Sequence, residues 1–386
     1  MNRATPPLLR NLNERTVLDA IRAGAPISRA EIARRSGISK PTVSLALQSL
    51  LESNLVRETT ERPDGPGYGA VYFEPVPDAA LVLGLDVGAR FVRGAICDLA
   101  GTIRARQDVE LPVAVVPEAV AAIERLRTSL FAASGLDPAR VDGVVVGVPG
   151  VVESETGLLR LAENVAGLEG RAFADELQSG LDLQVTLEND INLAALGEQW
   201  QGVARGVDDF VFLSIGTGMG AGLVLRGELH RGRHGAAGEI DFALVGVDES
   251  LDPSALEIAQ LASRFAARQA DARAIFGAAR NGDENARAVV GEIARRIALH
   301  LAPIAAVADV ELVVLGGGIG ANGDLLLDPV SQLLAEWLPF PPRVEVSTLG
   351  EAAVLTGALA VGLQAALENV FARRPSLSAE SVSGPA

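Results

Sequence analysis

Val185-Thr186-Leu187-Glu188-Asn189-Asp190, Ser214-Ile215-Gly216-Thr217-Gly218-Met219-Gly220-Ala221-Gly222 and Ala236-Ala237-Gly238-Glu239 are the three pieces of one stretch, residues 185–239, whose reading decides the fold. The first is an apolar strand that ends in a carboxylate and a carboxamide, groups that make directional hydrogen bonds to vicinal hydroxyls. The second is an alternating strand that runs into closely spaced glycines, where backbone N–H groups can approach an anion or ligand with no side chain between. The combination suits a polyol or a sugar. The competing reading makes the glycines hairpin turns and Asp190 the cap of a helix from Ile191 to Trp200.

Working outward, 386 residues are enough for two or three domains, and 48% hydrophobic with 21% charged residues is ordinary for a soluble globular chain. No apolar run approaches the ~20 residues of a membrane span, and the polar opening with Pro6-Pro7 lacks a signal-peptide pattern, which predicts a cytoplasmic protein with no membrane partner. Cys97, the single cysteine, rules out an intramolecular disulfide and reads as a small core residue in the strand Phe91 to Cys97. His230, His234 and His300 are too scattered for a His-based metal site. Charge is uneven: residues 1–62 hold ten Arg/Lys against six Asp/Glu, while the remainder holds 23 against 43 within a total of −16. Contact with a polyanion is therefore predicted for the N-terminal end alone.

That end reads as three helices. Leu8, Leu12, Val17, Leu18 and Ile21 form a stripe stopped by Gly24 and Pro26; Ser28 with Glu31 is a capping-box pattern opening a second helix to Ser36; Gly37 breaks it, and Ser39-Lys40-Pro41-Thr42 opens a third. Leu55–Glu58 and Val71–Phe73 are extended runs around Gly65-Pro66-Gly67-Tyr68-Gly69, the pattern of a β-wing. Residues 1–74 thus resemble a winged helix-turn-helix, whose third helix would meet DNA through Ser39, Lys40 (the only lysine), Thr42, Ser44 and Gln48, with Arg29 beside it. A helical docking domain is the alternative. Residues 75–80 read as a linker, 81–190 as a first lobe of three strands, helix, strand and helix, 191–370 as a second lobe with a closing helix from Glu351 to about Leu367, and 371–386 as a disordered tail. The second lobe reads as strands Asp209–Ile215, Ala221–Arg226 and Glu311–Leu315 with helices from Ala255 and Asp283. This order predicts an α/β chain: a winged helix followed by a two-lobe ribonuclease-H-like, actin-like fold with a ligand cleft between the lobes.

With these pieces in order the chain, from Leu8 to about Leu367, resembles the ROK family, which contains sugar kinases and sugar-responsive transcription factors; the winged helix in front resembles its regulator branch. The resemblance implies a sugar cleft at Gly150 (in Gly147-Val148-Pro149-Gly150), Asn164, Asn189, Asp190, Glu239 and Glu257, with Asp190 the catalytic base in the kinases. It implies a nucleotide site at Asp86, Gly88, Gly216, Thr217, Gly218, Gly317 and Gly318.

The departures matter as much. Where the family continues Gly-Glu-Ile to Gly-His, this chain has Asp241-Phe242, and the zinc-binding cysteines that follow are replaced by Ala243–Ala255, so zinc is not expected and Phe242 reads as an apolar plug. At the first phosphate turn, Asp86-Val87-Gly88-Ala89-Arg90-Phe91 puts Arg90 where a small residue belongs, so ATP is not expected as a cofactor. The resulting expectation is a sugar-responsive repressor, a homodimer or dimer of dimers on double-stranded operator DNA; the alternative is an ATP-dependent sugar kinase or a bifunctional protein.

Overall fold

A computed structural model describes residues 6–60, 71–162, 164–242, 251–269 and 271–372. The N-terminal stripe forms helix α1 (Pro6–Gly24), followed by strand β1 (Ile27–Ser28) and helices α2 (Arg29–Ser36) and α3 (Lys40–Glu52). Ser28 accepts the Glu31 N–H, and Gly37 ends α2 with φ 69°, left-handed backbone that glycine adopts freely. Glu31 does not close the capping box; its carboxylate turns along its own helix to Arg34 and Arg35. Ser39 caps α3, with Pro41 in its first turn. Strands β2 (Val56–Thr59) and β3 (Tyr72–Pro75) pair antiparallel, and β1 adds to the other edge of β3. The glycine-rich wing tip, Gly65–Gly69, lies outside the described residues.

Lobe 1 comprises β4 (Leu81–Val87), β5 (Phe91–Asp98), β6 (Ile103–Glu110), α4 (Val116–Ser134), β7 (Val141–Val148), the short pair β8 (Val151–Val152) and β9 (Leu159–Arg160), α5 (Phe173–Leu181), β10 (Val185–Asn189) and α6 (Asp190–Gln201). Its sheet runs β10-β7-β4-β5-β6, with β4, β7 and β10 parallel and β5 antiparallel to both neighbours. Lobe 2 repeats the plan with β11 (Phe210–Ile215), β12 (Met219–Leu225), β13 (Glu228–Leu229), α7 (Ile258–Arg264), α8 (Ala272–Arg280), α9 (Glu284–Ala308), β14 (Leu312–Gly316), α10 (Gly317–Gly320), α11 (Gly323–Trp337), β15 (Arg343–Val346) and α12 (Ala353–Ala372). Its order is β13-β12-β11-β14-β15. Two sheets of this topology are the expected ribonuclease-H-like fold.

Two helices join the lobes. α12 lies across the lobe 1 sheet, where Gly84 meets Leu359 and Gly362 meets Val82. α6 lies on β12, where a Cβ at Gly222 would stand 2.8 Å from the Ile191 carbonyl oxygen, so glycines read as part of a phosphate loop also seat a helix. The two helices cross in backbone contact: a Cβ on Gly197 would overlap the Ala353 carbonyl oxygen, and one on Gly357 that of Leu193. Buried Glu198 on α6 accepts the Ser347 hydroxyl (2.5 Å) and the Leu349 N–H (3.2 Å), fixing the approach to α12.

The stretch read as a linker is a fixed joint. Pro77–Ala79 is a 3-10 turn; the Leu99 N–H donates to the Pro77 carbonyl (3.0 Å) and Arg104 pairs with Asp78 (2.7 Å). Val17, Leu18 and Ile21 of α1 share one apolar cluster with Val82, Ala95, Cys97 and Leu99 of lobe 1 and Leu359, Leu363, Leu367 and Phe371 of α12. Phe371 is thus the end of a helix, not the first residue of a tail. Against the expectation that no apolar run reaches the length of a membrane span, Gly350–Asn369, most of it in α12, is long and apolar enough by length and composition; more than half of it is buried inside the fold, as in a central core helix.

Candidate functional site

The Glu188-Asn189-Asp190 turn sits where β10 becomes α6. Asn189 takes the capping role, accepting the Asn192 N–H (2.9 Å), while its amide donates to the Gly150 carbonyl (2.9 Å). The cap is therefore Asn189, which leaves Asp190 in the first helical turn with one oxygen on the Ile191 N–H (2.8 Å) and no cation paired with it among the described residues. Beneath the pair lies Glu188, 7% exposed, accepting the Asn189 N–H (3.0 Å) and the Asn192 amide (3.0 Å) and taking Arg231 at 2.6 Å. Arg231 belongs to the loop after β13 of lobe 2, so this ion pair spans the cleft. The same loop also accepts from lobe 1: the Ser154 N–H donates to the His234 carbonyl at 3.4 Å.

Glu239 is set by Gly238, whose φ of 98° and contact with the Ala221 carbonyl admit no side chain; in return the Ala221 N–H donates to the Gly238 carbonyl (2.9 Å). Asp190 feels the charges of both Asp86 and Glu239. Burial, then the Asp86 charge, then that of Glu239 push the Asp190 carboxyl up to about 7, against the Ile191 N–H. Glu239 is raised by burial and by Asp241, and Asp241 by burial and Asp252. The structure thus gathers Gly150, Asn189, Asp190 and Glu239 around one acidic cleft. It does not join the other two to it by any hydrogen bond: Asn164 is exposed in a turn after β9, and Glu257 is the half-buried residue before α7 with no side-chain cap bond. Phe242's side chain and residues 243–250 lie outside the described residues.

On the nucleotide side, Asp86 ends β4 at 5% exposure, and Arg93, its partner in register on β5, holds it at 3.2 Å. Arg93 also reaches Glu351 (3.1 Å) and Asp108 (3.6 Å). Burial outweighs this cation and pushes Asp86 up to about 6. Arg90, expected to crowd the phosphates, is exposed and stacks on Phe91, 5.8 Å from its centroid; the crowding cation is Arg93. A divalent metal takes carboxylate oxygens in its shell, and here one oxygen of the carboxylate that ends this strand is held by the Arg93 guanidinium. Gly88 closes the turn to Phe91, Gly216 to Gly218 with Thr217 exposed at the tip, and Gly317 (φ 76°) and exposed Gly318 open α10. Among the described residues no group of three or more His, Cys, Asp or Glu is placed to hold a metal ion.

The second candidate surface is α3. Lys40 and Gln48 are exposed, and exposed Arg29 lies 5.9 Å from the Phe73 ring centroid. The hydroxyls are engaged within the helix: Ser39 with Thr42 (2.8 Å), and Ser44 donating to the Lys40 carbonyl (3.0 Å). Between them Leu45 is 69% exposed, a residue the sequence did not set apart from the other leucines of the helix.

Residues 82–366 match the family model described as ROK family, and residues 10–65 one described as MarR family. A putative xylose repressor of a Caldicellulosiruptor species is 26% identical over 92% of this chain and 96% of its own. A glucokinase of Thermotoga maritima is 31% identical over 56% of this chain and 78% of its own. Among solved structures, a ROK family transcriptional regulator, homolog of the E. coli MLC protein, superposes with a TM-score of 0.77 at 23% identity, over 94% of this chain and 98% of its own, a likeness of fold. A ROK family glucokinase from Streptomyces griseus, in complex with glucose and AMPPNP, gives 0.63 at 27% identity over 74% of this chain and all of its own.

Proposed function

Because this chain belongs to the ROK family, we propose that it is a sugar-responsive DNA-binding regulator, a repressor whose winged helix holds operator DNA and whose cleft takes a sugar at Gly150, Asn189, Asp190 and Glu239. Two relatives that extend over nine-tenths of the chain are named xylose repressors, one of them putative, whereas two glucokinases match a little over half of it. The observation that carries the reading is the shared core: α1 of the winged helix packs into the cluster built by lobe 1 and α12, and α12 crosses the helix that begins at Asp190. A sugar that prefers one lobe arrangement would thereby shift the placement of α3. Coupling of about 1–3 kcal/mol would change operator affinity roughly five- to 150-fold. The protein is proposed to act in the cytoplasm as a homodimer or dimer of dimers on paired half-sites.

The test is operator binding by fluorescence anisotropy across a panel of pentoses, hexoses and amino sugars. One sugar that changes affinity at least five-fold, with no change in Asp190→Asn, supports the reading; DNA affinity indifferent to every sugar sinks it. A second reading, a sugar kinase, is favoured by one observation: a carboxyl titrating near neutrality suits a general base. Arg93 on Asp86 opposes it. ADP release dependent on a sugar and abolished by Asp190→Asn would establish it instead.

A further inference from the structure

Leu45 is the one large apolar side chain on α3 that the fold leaves 69% exposed. α3 turns Val43, Ala46, Leu47 and Leu50 inward, so at about 100° per residue the outward stripe is Pro41, Leu45, Gln48 and Glu52, with Ser44 beside it. None of the described residues of the module's apolar cluster covers Leu45. A single exposed leucine is ordinary on a protein surface. This one is different in its surroundings: its helix opens on exposed Lys40, the helix before it opens on exposed Arg29, the module carries the chain's basic excess, and its polar neighbours bond within their own helix. Thr42 meets Ser39 (2.8 Å), Ser44 the Lys40 carbonyl (3.0 Å), and Gln48 donates to Glu52 (2.9 Å).

The charge fixes the occupant as duplex DNA, and the geometry puts a solvent-exposed apolar tip, beside hydroxyl and amide groups that also bond within their own helix, at the centre of the face that meets it. The major-groove edge offers one apolar feature, the 5-methyl of thymine; the edges of guanine, cytosine and adenine carry polar groups that a leucine would desolvate without replacing. We propose that Leu45 is a specificity-determining residue that reads a thymine methyl in each half-site. This rests on the DNA-binding reading above, and its failure is separable from that reading's.

The experiment selects duplexes from a randomised pool with the full-length protein, then replaces each thymine by deoxyuridine, which keeps every hydrogen-bonding group and removes only the methyl. Wild type is expected to lose about three- to ten-fold in affinity at one position per half-site, the scale of a lost methyl contact. Leu45→Ala loses as much on the thymine duplex and becomes indifferent to uracil there, while Leu45→Gln selects a base other than thymine. Wild type indifferent to uracil at all positions, or Leu45→Ala retaining the wild-type uracil profile, overturns the proposal and leaves DNA binding intact. Recovery of no duplex at all removes both.

Discussion

Asp190→Asn is expected to stabilise the protein at alkaline pH while abolishing its response to sugar. Asp190 is half-buried, unpaired with any cation among the described residues, and close to Asp86 and Glu239, which raises it from the ordinary 3.8 to about 7. Between those two values the native state keeps a proton that the unfolded chain has released. Stability from this group is complete below the unfolded value and is lost as pH rises through about 7. Each tenfold in proton affinity is worth about 1.36 kcal/mol, so the ceiling is about 4 kcal/mol. Water at the half-buried side chain and the proton shared with two neighbouring carboxyls bring the expected figure to about 1–3 kcal/mol. Asparagine keeps the bond to the Ile191 N–H and has nothing to titrate. The variant should therefore melt with wild type near pH 4 and on the order of 2–8 °C above it at pH 8. Calorimetry at pH 4, 5.5, 7 and 8 reads the difference; a gap that is constant or shrinks with pH refutes the acid cluster as described.

Lys40→Ala should weaken operator binding at every sequence and lower the slope of log affinity against log salt by about 0.9 per protomer, read from titrations between 50 and 200 mM salt. Gly357→Ala should destabilise the protein by at least about 2 kcal/mol in urea titration, because its methyl would overlap the Leu193 carbonyl at the α6–α12 crossing; a midpoint unchanged from wild type would mean the helices do not touch there. Trp200→Ala, at the C-terminal turn of α6 beside α1, should leave sugar affinity by calorimetry within about two-fold while cutting the effect of sugar on DNA binding to below about three-fold. Arg231→Ala should weaken sugar binding, since it strips the cation from buried Glu188 under Asn189; unchanged affinity would show that this bridge is not part of the site.

Features made of neighbouring residues were legible in the sequence. Ser28, Gly37, and Ser39 before Pro41 carry their own backbone chemistry and cap where that chemistry put them, whereas Glu31, read as the other half of a capping box, turns to Arg34 and Arg35. The apolar strand closing on Glu188-Asn189-Asp190 likewise declared itself. What was not legible needs a register or a crossing. Arg93 follows Asp86 by seven residues and meets it only because β4 and β5 pair antiparallel in that register, so attention fell on the nearer Arg90. Glu188 and Arg231 are 43 residues apart on different lobes. Helices α8 and α11 and strand β15 went unread: α8 has nine residues, α11 carries Pro329 in its interior, and β15 has four residues with no buried face. Glu198 looked like any charge on a helix, and only the fold shows it fully buried and holding the turn into α12.

The same crossings say where a signal from the cleft has to go. α6 is twelve residues with the polar turn at one end and Leu196, Gln199 and Trp200 at the other. Along its length it cannot yield: β12 glycines bring backbone against one side, and the Gly197–Ala353 and Gly357–Leu193 contacts bring α12 against another. Close-packed backbone of this kind moves as a body or not at all. On the proposed mechanism, a sugar that draws Asn189 and Asp190 toward Glu239 therefore tilts both helices together. The far end is where α6 and α1 face one another across a pocket of about 430 Å³ lined by Arg15, Leu18, Asp19 and Arg22 of α1 and Leu196, Gln199 and Trp200 of α6. Arg22 reaches the Leu99 carbonyl (2.8 Å), and Arg104 and Arg140 grip Asp78, so α1 is anchored to lobe 1 beside this open pocket. A tilt of α6 that closes the cavity would push α1 about that anchor and carry α3 with it, because α1 and α3 share one core.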